Sequence, residues 1–163
     1  MQCANLKHCC ILKILYGCGV RVSEVLALKI ADIDSAAMRI HIRAAKGKKD
    51  RVVPLPQTLL HNLRQYYLAY HPNDYLFEGQ HGGNYSAKSI QNFIKKYARE
   101  AKIQKSVTPH MLRHSYATHQ LENGVNIRHV QALLGHNSIK TTELYTHVAK
   151  ISKNNIASPL DHL

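Results

Sequence analysis

Four residues in the last third of the chain carry side chains suited to chemistry at a phosphodiester. His110 stands three residues before Arg113, so one helix would present both on one face. His136 follows Gly135, which reads as a helix stop, and so projects from a tight turn. Tyr145 comes nine residues later. Attack at phosphorus without a metal ion loads negative charge onto two non-bridging oxygens, and arginines answer it with planar, permanently charged forks. A nucleophile must attack and a general acid must protonate the departing oxygen. An arginine, two histidines and a tyrosine are the right types. Their local spacing suggests one constellation without assembling it. Two other chemistries lack their pattern. No His-Glu-x-x-His run or cysteine pair marks a metal site, and Ser115 lacks the surroundings of a nucleophile elbow.

The elements that must position these residues are legible in the spacing of apolar residues. Residues 5–16 are apolar on nearly every side, which predicts a buried helix ended by Gly17 and Gly19. Ser23 begins a second helical stretch with Glu24 in its first turn, and Arg21 sits in the connection. Near residue 37 the period changes to two: Met38, Ile40 and Ile42 alternate with Arg39, His41 and Arg43. A turn from Lys46 to Asp50 leads to a returning strand at Val52-Val53, ended by Pro54 and Pro56, so Lys46 belongs near a hairpin tip. Residues 57–70 read as helix. Ser86 starts another, with Ile90, Phe93, Ile94 and Tyr97 on its apolar stripe. Thr108-Pro109, Asn126 and Ser138 are start signals for three further helices, the last bearing Leu144 and Tyr145. The fold class is therefore mainly α with a small antiparallel β-sheet.

The chain's 163 residues suit one domain, and its 45% apolar and 20% charged residues exclude a disordered tail, a collagen-like fibre and a coiled coil. Charge is the unusual feature: 22 Lys and Arg against 10 Asp and Glu, a net charge of +12 with His neutral. Such an excess points to a polyanion, most commonly nucleic acid. The charge gathers on residues 39–51 and 88–105, a basic hairpin and a basic helix face that could grip two stretches of phosphate backbone. Arg43, Lys48, Lys49, Lys88, Gln91 and Lys95 are the candidate DNA-binding residues. Cys3, Cys9, Cys10 and Cys18 all fall in the first 18 residues, with no Cys-x-x-Cys pair, and read as reduced thiols of a cytoplasmic protein. No apolar run is long enough for a membrane span, and no cofactor motif is present.

Taken together, the boxes resemble the tyrosine recombinases of the phage-integrase and Xer type. The resemblance rests on Gly19-Val20-Arg21-Val22-Ser23-Glu24, then Ala45-Lys46-Gly47-Lys48-Lys49 with Arg51-Val52-Val53-Pro54-Leu55. It continues with His110-Met111-Leu112-Arg113-His114, Leu133-Leu134-Gly135-His136 and Leu144-Tyr145-Thr146-His147. It spans about residues 10 to 150, with the boxes in the family's order. It implies that Arg21 and Arg113 clamp the scissile phosphate, and that Tyr145 attacks it to leave a 3′-phosphotyrosyl bond and a free 5′-hydroxyl. It implies Lys46 as general acid for that hydroxyl, with Lys48 as the alternative. It implies His110 in proton transfer with the tyrosine and His136 as a hydrogen-bond partner of a non-bridging oxygen. Spacing from His136 favours Tyr145 over Tyr116 as the nucleophile.

The resemblance also implies double-stranded DNA as partner, a homo-tetramer on paired DNA sites with a monomer in isolation, and bacterial or phage origin with a place on the nucleoid. No metal and no ATP are expected, because the covalent bond conserves the energy of the diester. Residues 1–151 read as the catalytic domain. The family's N-terminal core-binding domain is not in this chain, which reads as a fragment. The tail from Ser152 to Leu163, with Ile156 and Leu160 as anchors, is a candidate for docking on a neighbouring protomer. The family's Gly-Lys-Gly at the hairpin is here Ala45-Lys46-Gly47. Three rival readings remain: a type IB topoisomerase-like strand passage, a DNA-binding module or fragment inactive without its N-terminal domain, and a purely structural basic protein with only nonspecific, salt-dependent affinity for DNA.

Overall fold

A helix with almost no polar side needs neighbours on every side, and the first helix has them. The computed structural model describes residues 5–43, 50–79, 82–136 and 138–143. Helix α1 (Leu6–Gly17) starts at Asn5, whose side chain accepts from the His8 N–H. Cys10, Ile11, Ile14 and Leu15 of α1 are wholly buried. They pack against α3 (Gln57–Tyr70), α4 (Ala87–Glu100) and α5 (Pro109–Glu122). Burying four such side chains contributes roughly 6–12 kcal/mol of apolar transfer free energy before entropy is charged against it. Cys9, Cys10 and Cys18 are free thiols inside this core and behave as small apolar groups.

The second helix, α2 (Val22–Ala27), begins earlier than Ser23. Its N-cap is Arg21, because Glu24 reaches back to accept the Arg21 backbone N–H at 2.7 Å. Arg21 is thereby fixed at a helix start instead of lying in a loose connection.

Three antiparallel strands follow in the order β1 (Ile33–Asp34), β2 (Arg39–Ile42) and β3 (Arg51–Pro54). Ile40 and Ile42 are buried while Arg39 and His41 are exposed, the expected alternation. Ile40 stands opposite Val53 and Arg39 opposite Pro54, on an edge strand where a missing N–H is tolerated. Two details differ from the sequence reading. Two-residue β1 is too short to carry a period. Met38 is not in the strand: at φ +53° it closes a turn in which Asp34 accepts the Ala37 N–H.

Three of the caps that the sequence predicts form as their residue types dictate. Ser86, Thr108 and Asn126 each accept a backbone N–H from the first turn of the helix they start. Helix α6 (Ile127–Leu134) ends at Gly135 in the left-handed region, and α7 (Ile139–Glu143) follows. Tyr116 and Ala117 of α5 pack on Val130 and Leu134 of α6 in a small second core. Lys46, Lys48, Lys49, Leu144, Tyr145 and residues 152–163 lie outside the described residues. Among the described residues no helix is long and apolar enough to cross a membrane.

Candidate active site

The last carbonyls of a helix have no partner within it and carry the negative end of its dipole. At the end of α6 three consecutive carbonyls each accept from a different arginine. Leu133 O accepts from Arg51 Nε at 2.7 Å, Leu134 O from Arg113 Nη2 at 2.7 Å and Gly135 O from Arg21 Nη2 at 3.3 Å. The arginines come from β3, α5 and the start of α2, so one helix end gathers three separate stretches of chain.

Three guanidiniums so close would repel one another without a counter-charge. Glu24 supplies it. Its Oε1 accepts from Arg21 Nη1 at 2.9 Å and Arg51 Nη1 at 2.8 Å, and its Oε2 accepts from Arg51 Nη2 at 2.8 Å as well as the Arg21 N–H. Burial alone would raise the Glu24 carboxyl, but the bonds from Arg51 and the Arg21 backbone overcome it and hold the group down at about 2. Glu24 is thus ionised throughout the neutral range.

Arg113 is the most enclosed of the three, with 2% of its surface exposed. Such burial is tolerable only with full hydrogen bonding. Its Nη1 donates to Gly19 O at 2.5 Å, and its Nη2 donates to Leu134 O and also to His136 Nε2 at 3.0 Å. Gly19 is required for two reasons: φ is +61°, and a Cβ there would lie 2.3 Å from the Tyr116 ring. Tyr116 is itself buried, which pushes its phenol pKa up. It packs against Gly19 and, with Ala117, on Val130 and Leu134 of α6.

His136 completes the cluster. An arginine can only donate, so Nε2 accepts here and the proton sits on Nδ1, 3.0 Å from Thr142 Oγ1. Burial first, then Arg113, Arg21 and Arg51, bring the imidazole down to about 4, so it is neutral near pH 7. Thr142 is wholly buried, and its hydroxyl can donate or accept. It therefore supports either tautomer, and His136 can turn Nε2 into a donor when an anion oxygen replaces Arg113 as its partner.

His110 lies one turn before Arg113 with its ring edge-on to His114, centroids 4.3 Å apart. It is exposed, and the His114 beside it has its pKa lowered by burial first, then by His110 and Arg113. His119 is turned elsewhere, at 2.8 Å from the Tyr16 hydroxyl. Of the six residues the resemblance singles out, Arg21, Arg113 and His136 thus meet at the end of α6, and His110 stands one helical turn before Arg113 on α5. Lys46 and Tyr145 lie outside the described residues.

The structure adds two residues that the sequence reading did not place in the site, Glu24 and Arg51. In the sequence Glu24 reads as a first-turn acid and Arg51 as one of several hairpin cations. Both residues fall inside the boxes that carry the resemblance, but neither is given a role there, and the spacing of three between Arg21 and Glu24 is also that of an ordinary capping box.

The candidate DNA contacts divide. Lys88, Gln91 and Lys95 stand on the exposed face of α4. Arg43 is two-thirds exposed, yet its Nε is held at 2.7 Å by Asp32, a carboxylate with 1% exposure. Lys48 and Lys49 lie outside the described residues.

A family model described as "Phage integrase family" matches residues 1–151. The chain is 42% identical over 146 residues to tyrosine recombinase XerD of Staphylococcus epidermidis, covering 85% of this chain and 49% of that protein. Among solved structures it is similar to the XerA recombinase, with a TM-score of 0.81 at 39% identity over 88% of this chain and 53% of that one. It is also similar to the XerH site-specific recombinase bound to palindromic difH substrate in a post-cleavage complex, with a TM-score of 0.82 at 28% identity over 92% of this chain and 45% of that one. The chain spans about half the length of the curated relatives it matches.

Proposed function

The chain belongs to the phage integrase family of tyrosine recombinases, and on that premise we propose that it is the catalytic domain of a site-specific DNA strand-exchange enzyme. The single observation that carries the reading is the convergence of Arg21, Arg113 and His136 on the end of α6. Fixed donors held in a partly dry site stabilise developing charge without having to reorganise. On this reading the scissile phosphate of double-stranded DNA lies against Arg21 and Arg113. His136 donates from Nε2 to a non-bridging oxygen after the tautomer change that Thr142 permits.

Tyr145 is the nucleophile. Its phenolic oxygen bonds to phosphorus while the bond from phosphorus to the 5′-oxygen breaks, leaving a 3′-phosphotyrosine. Lys46 gives a proton to the departing 5′-oxygen, and His110 takes the tyrosine's proton. A free tyrosine has a pKa near 10, so about one in a thousand is ionised at pH 7. The neighbouring guanidiniums favour both the phenolate and the transition state. The reverse reaction with another strand's 5′-hydroxyl rejoins DNA and needs neither metal nor ATP.

The exposed cations of α4, with Lys48, Lys49 and Arg43 of the hairpin, lie on the duplex backbone. Residues 1–151 act as the catalytic domain. Four copies assemble on paired sites, with residues 152–163 docking between neighbours. The XerH relative is described as bound to its difH substrate, which supports a DNA partner for this chain.

The test is covalent trapping in EDTA on a nicked duplex carrying a recombination site of the source replicon. Loss of the short strand beyond the cut should leave a protein–DNA adduct that survives denaturing electrophoresis and vanishes in Tyr145→Phe. An adduct that persists in that variant would move the nucleophile elsewhere. Supercoil relaxation without recombinant products would favour topoisomerase-like strand passage.

A further inference from the structure

We propose that Arg51 is a positioning residue for the phosphate clamp: it shares Glu24 with Arg21 and locks the return of the lysine hairpin to the turn that carries His136. The inference rests on the strand-exchange reading above and extends it to a residue outside the clamp.

Arg51 is the first residue of β3, five positions after Lys46. Its side chain is 10% exposed. Three of its nitrogens are engaged: both Nη atoms on the two oxygens of Glu24, and Nε on Leu133 O. A bidentate arginine–carboxylate pair fixes orientation as well as distance. The next turn closes against the same side chain. A Cβ on Gly135 would come 3.1 Å from Arg51 Cδ and Nη1, so glycine there serves close approach as well as its φ of +63°. One side chain therefore touches the acid behind Arg21, the last turn of α6 and the residue before His136.

Charge counting explains why a third arginine is needed. Arg21 paired with Glu24 alone would be close to neutral, and the carboxylate would compete with an incoming phosphate for its donors. Each Glu24 oxygen instead accepts from both Arg21 and Arg51. The trio keeps one net positive charge, and Arg21, with its side chain 31% exposed, is the member that meets solvent. Arg51 acts through Glu24 and does not itself touch the reacting atoms.

The test uses the full chain and inorganic phosphate, with the Nε–H signals of Arg21 and Arg113 followed by NMR. In the wild-type chain both signals should move on phosphate addition. Arg51→Met should weaken phosphate binding by about tenfold, the scale of one charge-assisted contact. Arg51→Lys keeps a charge without the fork and should fall between the two. The decisive reading is the double variant: in a Glu24→Gln chain, Arg51→Met should cost little more, because both changes break one unit. A merely structural role would instead lower the urea unfolding midpoint and leave the phosphate affinity of the folded chain unchanged. Wild-type affinity in Arg51→Met, or additive losses in the double variant, would overturn the role of Arg51 and leave the clamp standing. If Arg51→Met does not fold, an Arg51→Lys chain that binds phosphate like the wild type would overturn it equally. A wild-type chain whose two arginine signals ignore phosphate would remove the strand-exchange reading itself, and this inference with it.

Discussion

The molecule carries its positive charge in two different ways. At the end of α6, Arg51 and Arg113 are withdrawn from solvent, Arg21 is the partly exposed member, and each of the three is held by a backbone carbonyl. On α4, Lys88 and Lys95 stand in water, and Lys96 pairs only loosely with Glu100 at 3.9 Å. The first arrangement is built from planar forks that keep their charge when buried, the second from flexible ammonium groups that prefer hydration. An enclosed cation with a fixed direction can discriminate between a substrate and a transition state. A solvated one attracts any polyanion and is screened by salt. Net charge alone reports both kinds as the same quantity. Arg43 stands between them, exposed at its tip but tied to buried Asp32 at the foot of the hairpin.

Breaking the enclosed cluster at its tightest point gives the largest expected effect. Gly19→Ala forces a Cβ into the Tyr116 ring at a left-handed position and moves the carbonyl that holds Arg113. It should cost about 2–4 kcal/mol of stability, read as a lowered midpoint in urea unfolding, and should reduce adduct formation with it. An unchanged midpoint would mean that the backbone at Gly19 is not fixed as described.

Acid should separate the two regions next. His136 is held at about 4, below the roughly 6.5 of an unfolded histidine, so the unfolded chain binds the extra proton first. The stability tied to neutral His136 is complete above about pH 6.5 and is lost as pH falls towards 4. Glu24, held at about 2, loses its share lower, between the usual carboxylate range near 4.3 and about 2. Thermal midpoints against pH should therefore fall in two stages. His136→Gln should flatten the upper stage and Glu24→Gln the lower, whereas lysine changes on α4 should flatten neither.

The smallest effect sharpens the other side of the comparison. Lys88→Ala with Lys95→Ala should leave the thermal midpoint within about 0.5 kcal/mol of stability. It should weaken binding to a duplex of arbitrary sequence and reduce the slope of log affinity against log salt by about two. A slope that does not change would take the α4 face off the DNA.

Much of the fold was legible because local chemistry decides it. The apolar run of residues 5–16 could only be a buried helix, and the caps at Ser86, Thr108 and Asn126 formed as their side chains dictate. Short elements were harder. Arg21 became a cap only because Glu24 turned back to it, and β1 is too brief to show alternation. Within the site, residue types and spacing pointed to Arg113, His110 and His136 and the resemblance added Arg21, whereas Glu24 and Arg51 stood in its boxes without a role of their own. The sequence by itself determined that the chain would carry helix ends, glycine stops and a large excess of cations. Only the tertiary structure decided which cations leave the solvent. A guanidinium can be buried only where carbonyls and a carboxylate from distant stretches meet it, and no local spacing records that meeting.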